Sequence, residues 1–145
     1  MPERRIMDPY YQTKTKLNRV NEQRDKVLAL KQHCDELRQC KYRTPDQQET
    51  LDLYEATLQA QEAKLRQITK QVSGWIDMLD FFGKDQEQET VRYYYQDCYS
   101  LSEVASLTYC TKRTAQRHLA AGVGKIDALL NYLEKQRKDE TDESA

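Results

Sequence analysis

The chain has 145 residues, 32% of them charged and 38% hydrophobic, with a formal net charge of -1 and a mean hydropathy of -0.98. That is one small domain with an extended arm, and four Gly and three Pro are too few for the turns of a sandwich or barrel. No apolar run approaches the ~20 residues of a membrane span, and MPERRIMDPYY places no apolar core behind Arg4 and Arg5, so a cytoplasmic protein with no membrane partner is expected.

The first predicted helix, over about residues 9–40, carries Leu17, Val20, Val27, Leu30, Cys34 and Leu37 as one stripe in a polar background. A sharp start signal follows: Thr44 as N-cap, Pro45 at the first helical position, Asp46 in the first turn and Gln47 placed to close a capping box. From there Leu51, Tyr54, Leu58, Gln61, Leu65, Ile68, Val72, Trp75, Leu79 and Phe82 step by three and four without a slip. This is a coiled-coil seam, on a helix roughly 57 Å long. A short loop favours an antiparallel hairpin, with the first stripe covering part of the second. The apolar excess at the end of the second helix must meet either the third stretch or a second subunit, and the seam residues Leu51, Tyr54, Leu58, Leu65, Ile68, Val72, Trp75 and Leu79 are assigned to oligomerisation, as a homodimer or higher homo-oligomer. Gln61 in the seam suggests a register device. Gly74 suggests a kink or close helix contact near Trp75, and Gly83 a helix stop.

Charge is segregated. Residues Val104 to Lys138 hold seven Lys/Arg against two Asp/Glu, and Asp80 to Glu103 hold two against six. Cys34, Cys40, Cys98 and Cys110 form no CxxC pair. On a helix, Cys34 and Cys40 lie about 240° apart, so reduced thiols are expected, with no metal and no cofactor.

The third stretch divides into a helix over Gln86 to Asp97, a short helix opened by Ser100 with Glu103 three residues on, a turn at Thr108-Tyr109-Cys110, and a helix capped by Thr111 and running to about Leu133. On the last helix Ala115, Leu119, Gly122, Ile126, Leu129 and Leu133 share one side, with Arg113, Arg117, Ala120 and Gly124 opposite. Gly122 and Val123 would let it sit tightly on the core, and His118 lies between the faces as a packing residue. A short helix, a tight turn and a longer helix with a basic start make a helix-turn-helix pattern. The predicted fold class is therefore all-α: an N-terminal antiparallel helical hairpin or coiled coil over 1–83, a C-terminal helix-turn-helix domain over 84–138, and a disordered acidic tail over 139–145.

The run VRYYYQDCYSLSEVASLTYCTKRTAQRH resembles the helix-turn-helix of sigma factor region 4, and more closely the phage transcriptional activators of the RinA and ArpU type. The resemblance rests on Val91, Tyr95, Ser100, Leu101, Glu103, Val104, Ala105, Thr111, Arg113, Thr114 and Arg117, and covers about Asp85 to Ile126. It implies a sequence-specific regulator of transcription, a phage late-gene activator in the bacterial host cytoplasm. Its last helix would enter the major groove of double-stranded DNA. Thr111, Lys112, Arg113, Thr114 and Lys125 are then expected at phosphates and Arg113, Gln116 and Arg117 at base edges, with Ala120 at a thymine methyl. RNA polymerase is a further expected partner, through the acids between Asp80 and Glu103. The sequence departs from the pattern at Tyr109, where helix-turn-helix proteins place Gly at positive φ, and at Thr108 and Cys110. Two rival readings are a phage terminase small subunit and a helical adaptor using Trp75, Phe81, Phe82 and Tyr93-Tyr94-Tyr95 as a protein-binding patch. No Gly-rich phosphate loop or catalytic constellation suggests an enzyme.

Overall fold

The computed structural model describes residues 8–143, with side chains to residue 140. Residues 1–7 and 144–145 of the outer predicted segments lie outside the described residues. The described chain is all-helical: α1 Tyr11–Gln39, α2 Pro45–Asp77, α3 Asp85–Val91, α4 Leu101–Leu107 and α5 Lys112–Glu143.

Local chemistry sets the boundaries. At the start of α2, Gln47 N–H donates to Thr44 Oγ1 (3.2 Å) and Thr44 N–H to Gln47 Oε1 (2.9 Å), so two backbone donors that a helix start leaves unpaired find partners. α2 tightens into a 3₁₀ turn over Met78–Phe82 and stops at Gly83, whose φ of 65° favours a residue without Cβ. The single long helix expected to Phe82 is thus α-helical only to Asp77. α3 widens into a π turn over Arg92–Gln96, and Arg92 there reaches back to α2, donating to Asp77 Oδ1 (2.6 Å) and Ser73 Oγ (3.2 Å).

α1 lies antiparallel along α2: Arg38 meets Glu55, Lys31 meets Glu62, and Leu17 and Val20 cluster with Val72 and Ile76, so partners move toward the end of α2 as α1 is followed back to its start. Val27 and Cys34 pack with Leu51 and Leu58 in one cluster, with Leu30, Leu37, Tyr54 and Leu65 at its margin. The second, larger cluster joins Leu17 and Val20 of α1, Val72, Ile76 and Leu79 of the second predicted helix, Val91 and Tyr95, and Val123 and Ile126 of α5. Gly83 therefore divides the sequence without dividing the core.

This packing reassigns the seam. Leu51, Leu58, Val72 and Leu79 are buried within the one chain, and Tyr54, Leu65, Ile68 and Trp75 are half-buried beside them. Within the chain this surface packs against α1 and, toward Leu79, against α3 and α5. Gln61 is likewise answered internally, its Oε1 accepting from Gln23 Nε2 at 2.7 Å, with Gln23 only 3% exposed. A polar pair in an apolar seam fixes the register of α1 on α2, because sliding by a turn would bury both amides unpaired.

Of the two glycines expected at close contacts, only Gly122 makes one. A Cβ on Gly74 would meet nothing within 4 Å, so no close helix contact occurs there, whereas one on Gly122 would lie 2.4 Å from Val91 Cγ2. α5 also runs past Leu133 to Glu143, through residues expected as a frayed tail. After Gly124 no Gly or Pro interrupts it, and Glu134 precedes Lys138 by four residues, the favourable orientation for a helical ion pair.

Candidate nucleic-acid interface

α4 is built to carry the start of α5. Ser100 Oγ accepts from Glu103 N–H (3.2 Å) and Glu103 Oε1 from Ser100 N–H (3.3 Å), closing the expected capping box. Seven residues later the helix ends in a Schellman turn: Cys110 N–H donates to Ala105 O (3.0 Å) and Tyr109 N–H to Ser106 O (3.3 Å). Such a turn requires a left-handed residue, and Tyr109 supplies it at φ 56°. Thr111 Oγ1 then accepts from Thr114 N–H (3.1 Å) and starts α5. Val104 and Ala105 of α4 and Ala115 of α5 are buried, seating the first turns of α5 by its inner side.

The outer side is free of partners. Lys112, Arg113, Gln116, Arg117 and Ala120 are exposed, and among the described residues the first four make no hydrogen bond or ion pair. Thr111 and Thr114 are engaged with each other, Thr111 Oγ1 also donating to Thr114 Oγ1 at 3.0 Å.

Lys125 is turned elsewhere. Its ammonium pairs with the Glu87 carboxylate of α3, with side-chain exposures of 25% and 12%, and lies 5.4 Å from the Phe82 ring centroid. A cation so held is unavailable to a phosphate, which corrects the expectation for this residue. It instead clamps α5 to α3 one turn beyond Gly122. His118 is half-buried, its Nδ1 enclosed without a hydrogen-bond partner, beside Glu87 and Lys84 at a cavity of about 340 Å³.

Two side chains near this face escaped the sequence reading. Lys14 and Asn18 of α1 share with Gln116, Ala120 and Tyr94 a depression of about 270 Å³. They lie about a hundred positions from α5 in sequence, so no local pattern could associate them. Lys14 is paired with Asp8, whose carboxyl it holds below the usual range, first through the side-chain hydrogen bond. One turn further, Tyr10 covers Gly124, whose Cβ position would lie 3.2 Å from Tyr10 Oη, and Thr13 Oγ1 donates to Asp127 Oδ1 (2.7 Å). The open face of α5 consequently ends near Ala120, about 12–14 Å from its start.

The chain matches no family model, no curated protein and no solved structure.

Proposed function

We propose that this chain is a sequence-specific double-stranded-DNA-binding protein that regulates transcription, a phage-type late-gene activator, and that it reads the major groove with the first turns of α5. One observation carries the reading. Lys112, Arg113, Gln116 and Arg117 stand exposed and unpartnered on the outer side of a helix that a capped α4 and a tight turn hold by its other side. A helix presented in this way fits a major groove about 12 Å wide. Lys112 supplies phosphate contact, and Arg113, Arg117 and Gln116 supply donors suited to guanine and adenine edges.

RNA polymerase is the proposed second partner. Glu103 is used in the α4 cap and Glu87 in the ion pair, so Asp80, Asp85, Glu89 and Asp97, all exposed, are the acids left for it. A homodimer remains part of the reading, since one short cationic face binds DNA weakly, although Leu51, Leu58, Val72 and Leu79 of the seam are buried within the one chain.

The test is binding to random-sequence duplex against salt for the full chain and for Arg113→Ala/Arg117→Ala, with light scattering on the same samples. Affinity should fall with salt, and the double variant should flatten the log–log slope by about 2. A folded protein that binds no duplex at low salt overturns the reading and leaves the helical adaptor in its place.

A further inference from the structure

Tyr109 has the position of a glycine and the surface of a ligand-binding residue. It occupies the left-handed site of the Schellman turn that ends α4, at φ 56°. Residues with a Cβ are disfavoured there, and the same chain uses Gly83 at φ 65° for the corresponding stop after α2. Cys98 is the other non-glycine residue at positive φ among those described, and its half-buried side chain packs against the core cluster. Tyr109 has no such return. Its side chain is 96% exposed, and among the described residues it makes no hydrogen bond or ring contact.

A strained backbone carrying a side chain that touches nothing inside the fold points to a contact outside it. The surroundings indicate which. Tyr109 lies three residues before Lys112 and four before Arg113, both exposed and cationic, and by chain geometry its Cα is within about 11 Å of that of Lys112. Asp97 and Glu103 are the nearest acids in sequence before it, and Glu103 is turned into its own cap. The neighbourhood on the α5 side is thus cationic, suited to a polyanion rather than to an acidic or apolar protein surface.

We propose that Tyr109 is a DNA-backbone contact: its hydroxyl donates to a phosphate oxygen and its ring packs on the adjoining sugar, anchoring the N-terminus of α5 in the groove. This rests on the reading of α5 as the DNA-facing helix. Tyr is among the side chains suited to phosphate contact, and such a contact fixes orientation without reading sequence. A tyrosine at a turn position that favours glycine then trades fold stability for affinity.

The experiment measures two quantities on the full chain: the urea midpoint, and affinity for a fluorescent random-sequence duplex at low salt. Tyr109→Gly should raise the midpoint and weaken binding about tenfold. Tyr109→Phe should leave the midpoint unchanged and recover part of the lost affinity, through the ring alone. A Tyr109→Gly protein that is more stable and binds DNA as well as the original overturns the proposal, while loss of binding in Arg113→Ala/Arg117→Ala in the same series leaves the reading of α5 intact. A Tyr109→Gly protein no more stable than the original refutes the strain on which the inference stands. Absence of duplex binding by the unaltered chain removes both readings, and a Tyr109-dependent association with a protein partner would then take their place.

Discussion

Gly122→Ala separates two opposed effects of known sign. In a helix interior the change should stabilise by about 1 kcal/mol, because alanine loses less backbone freedom on folding. Here the new Cβ would lie 2.4 Å from Val91 Cγ2 and 3.3 Å from the Glu87 carbonyl oxygen. Val91 is fully buried in the central cluster, so its methyl has no free space to move into, and the carbonyl belongs to α3 itself. Relieving the overlap requires α5 to move off α3, and overpacking of this kind costs about 1–3 kcal/mol. With a contact this short the upper half of that range applies, and the net effect is destabilisation by about 1–2 kcal/mol. In urea, with a slope of about 2 kcal/mol per molar, the midpoint should fall by roughly 0.5–1 M. Gly74→Ala provides the control: with nothing within 4 Å it should gain about 0.5–1 kcal/mol. Adding Val91→Ala to Gly122→Ala should cost at least ~1 kcal/mol less than Val91→Ala does alone, since it makes room for the new methyl. A Gly122→Ala protein as stable as the original, or strict additivity with Val91→Ala, would refute the close approach of α5 and α3.

Glu87→Gln strands the Lys125 ammonium, three-quarters buried beside Phe82, and should destabilise by about 2 kcal/mol; pairing it with Lys125→Met should recover most of that, with the salt slope of DNA binding unchanged. A flattened slope in the pair would return Lys125 to the phosphate contacts. Burial, reinforced by the charges of Tyr94 and Asp8, pushes the Tyr95 phenol up to about 12. The folded state therefore holds this proton where the unfolded chain releases it, and stability should fall as pH rises from 10 to 12. Tyr95→Phe should lessen that fall in urea midpoints at the two ends of the window; an identical decline in both proteins counts against the burial. Val72→Ala, emptying space at a residue 1% exposed, should cost about 2 kcal/mol and lower the thermal midpoint equally at all protein concentrations. A concentration-dependent loss would mean that the seam joins two chains.

Which features were legible in the sequence follows from the range of the forces involved. The Thr44–Gln47 and Ser100–Glu103 boxes, the Thr111 cap and the Gly83 stop depend on residues within three or four positions, and each is formed as the local chemistry requires. The all-helical class was equally legible, since period and scarcity of turn residues are properties of the chain itself. So was the placement of Arg113, Arg117 and Ala120 on one exposed side of α5, because helical projection needs only the rise and twist of a helix.

Tertiary structure decided what periodicity leaves open. A stripe says that a face is apolar and not what covers it, so the seam from Leu51 to Leu79 reads the same whatever fills it; within the chain its buried residues pack against α1 and, toward Leu79, against the helices after Gly83. Lys125 looks like any cation on a basic helix until α3 brings Glu87 to it. Gly74 and Gly122 carry the same intrinsic freedom, and only the presence or absence of a neighbouring helix tells a tolerated weak point from a required gap. Lys14 and Asn18 reach the candidate interface because the core clusters α1 against α5 across most of the chain's length. Short-range hydrogen bonding and helical period are written along the sequence; the identity of a packing partner is a free-energy comparison among surfaces far apart in it, and that comparison is made only when the chain folds.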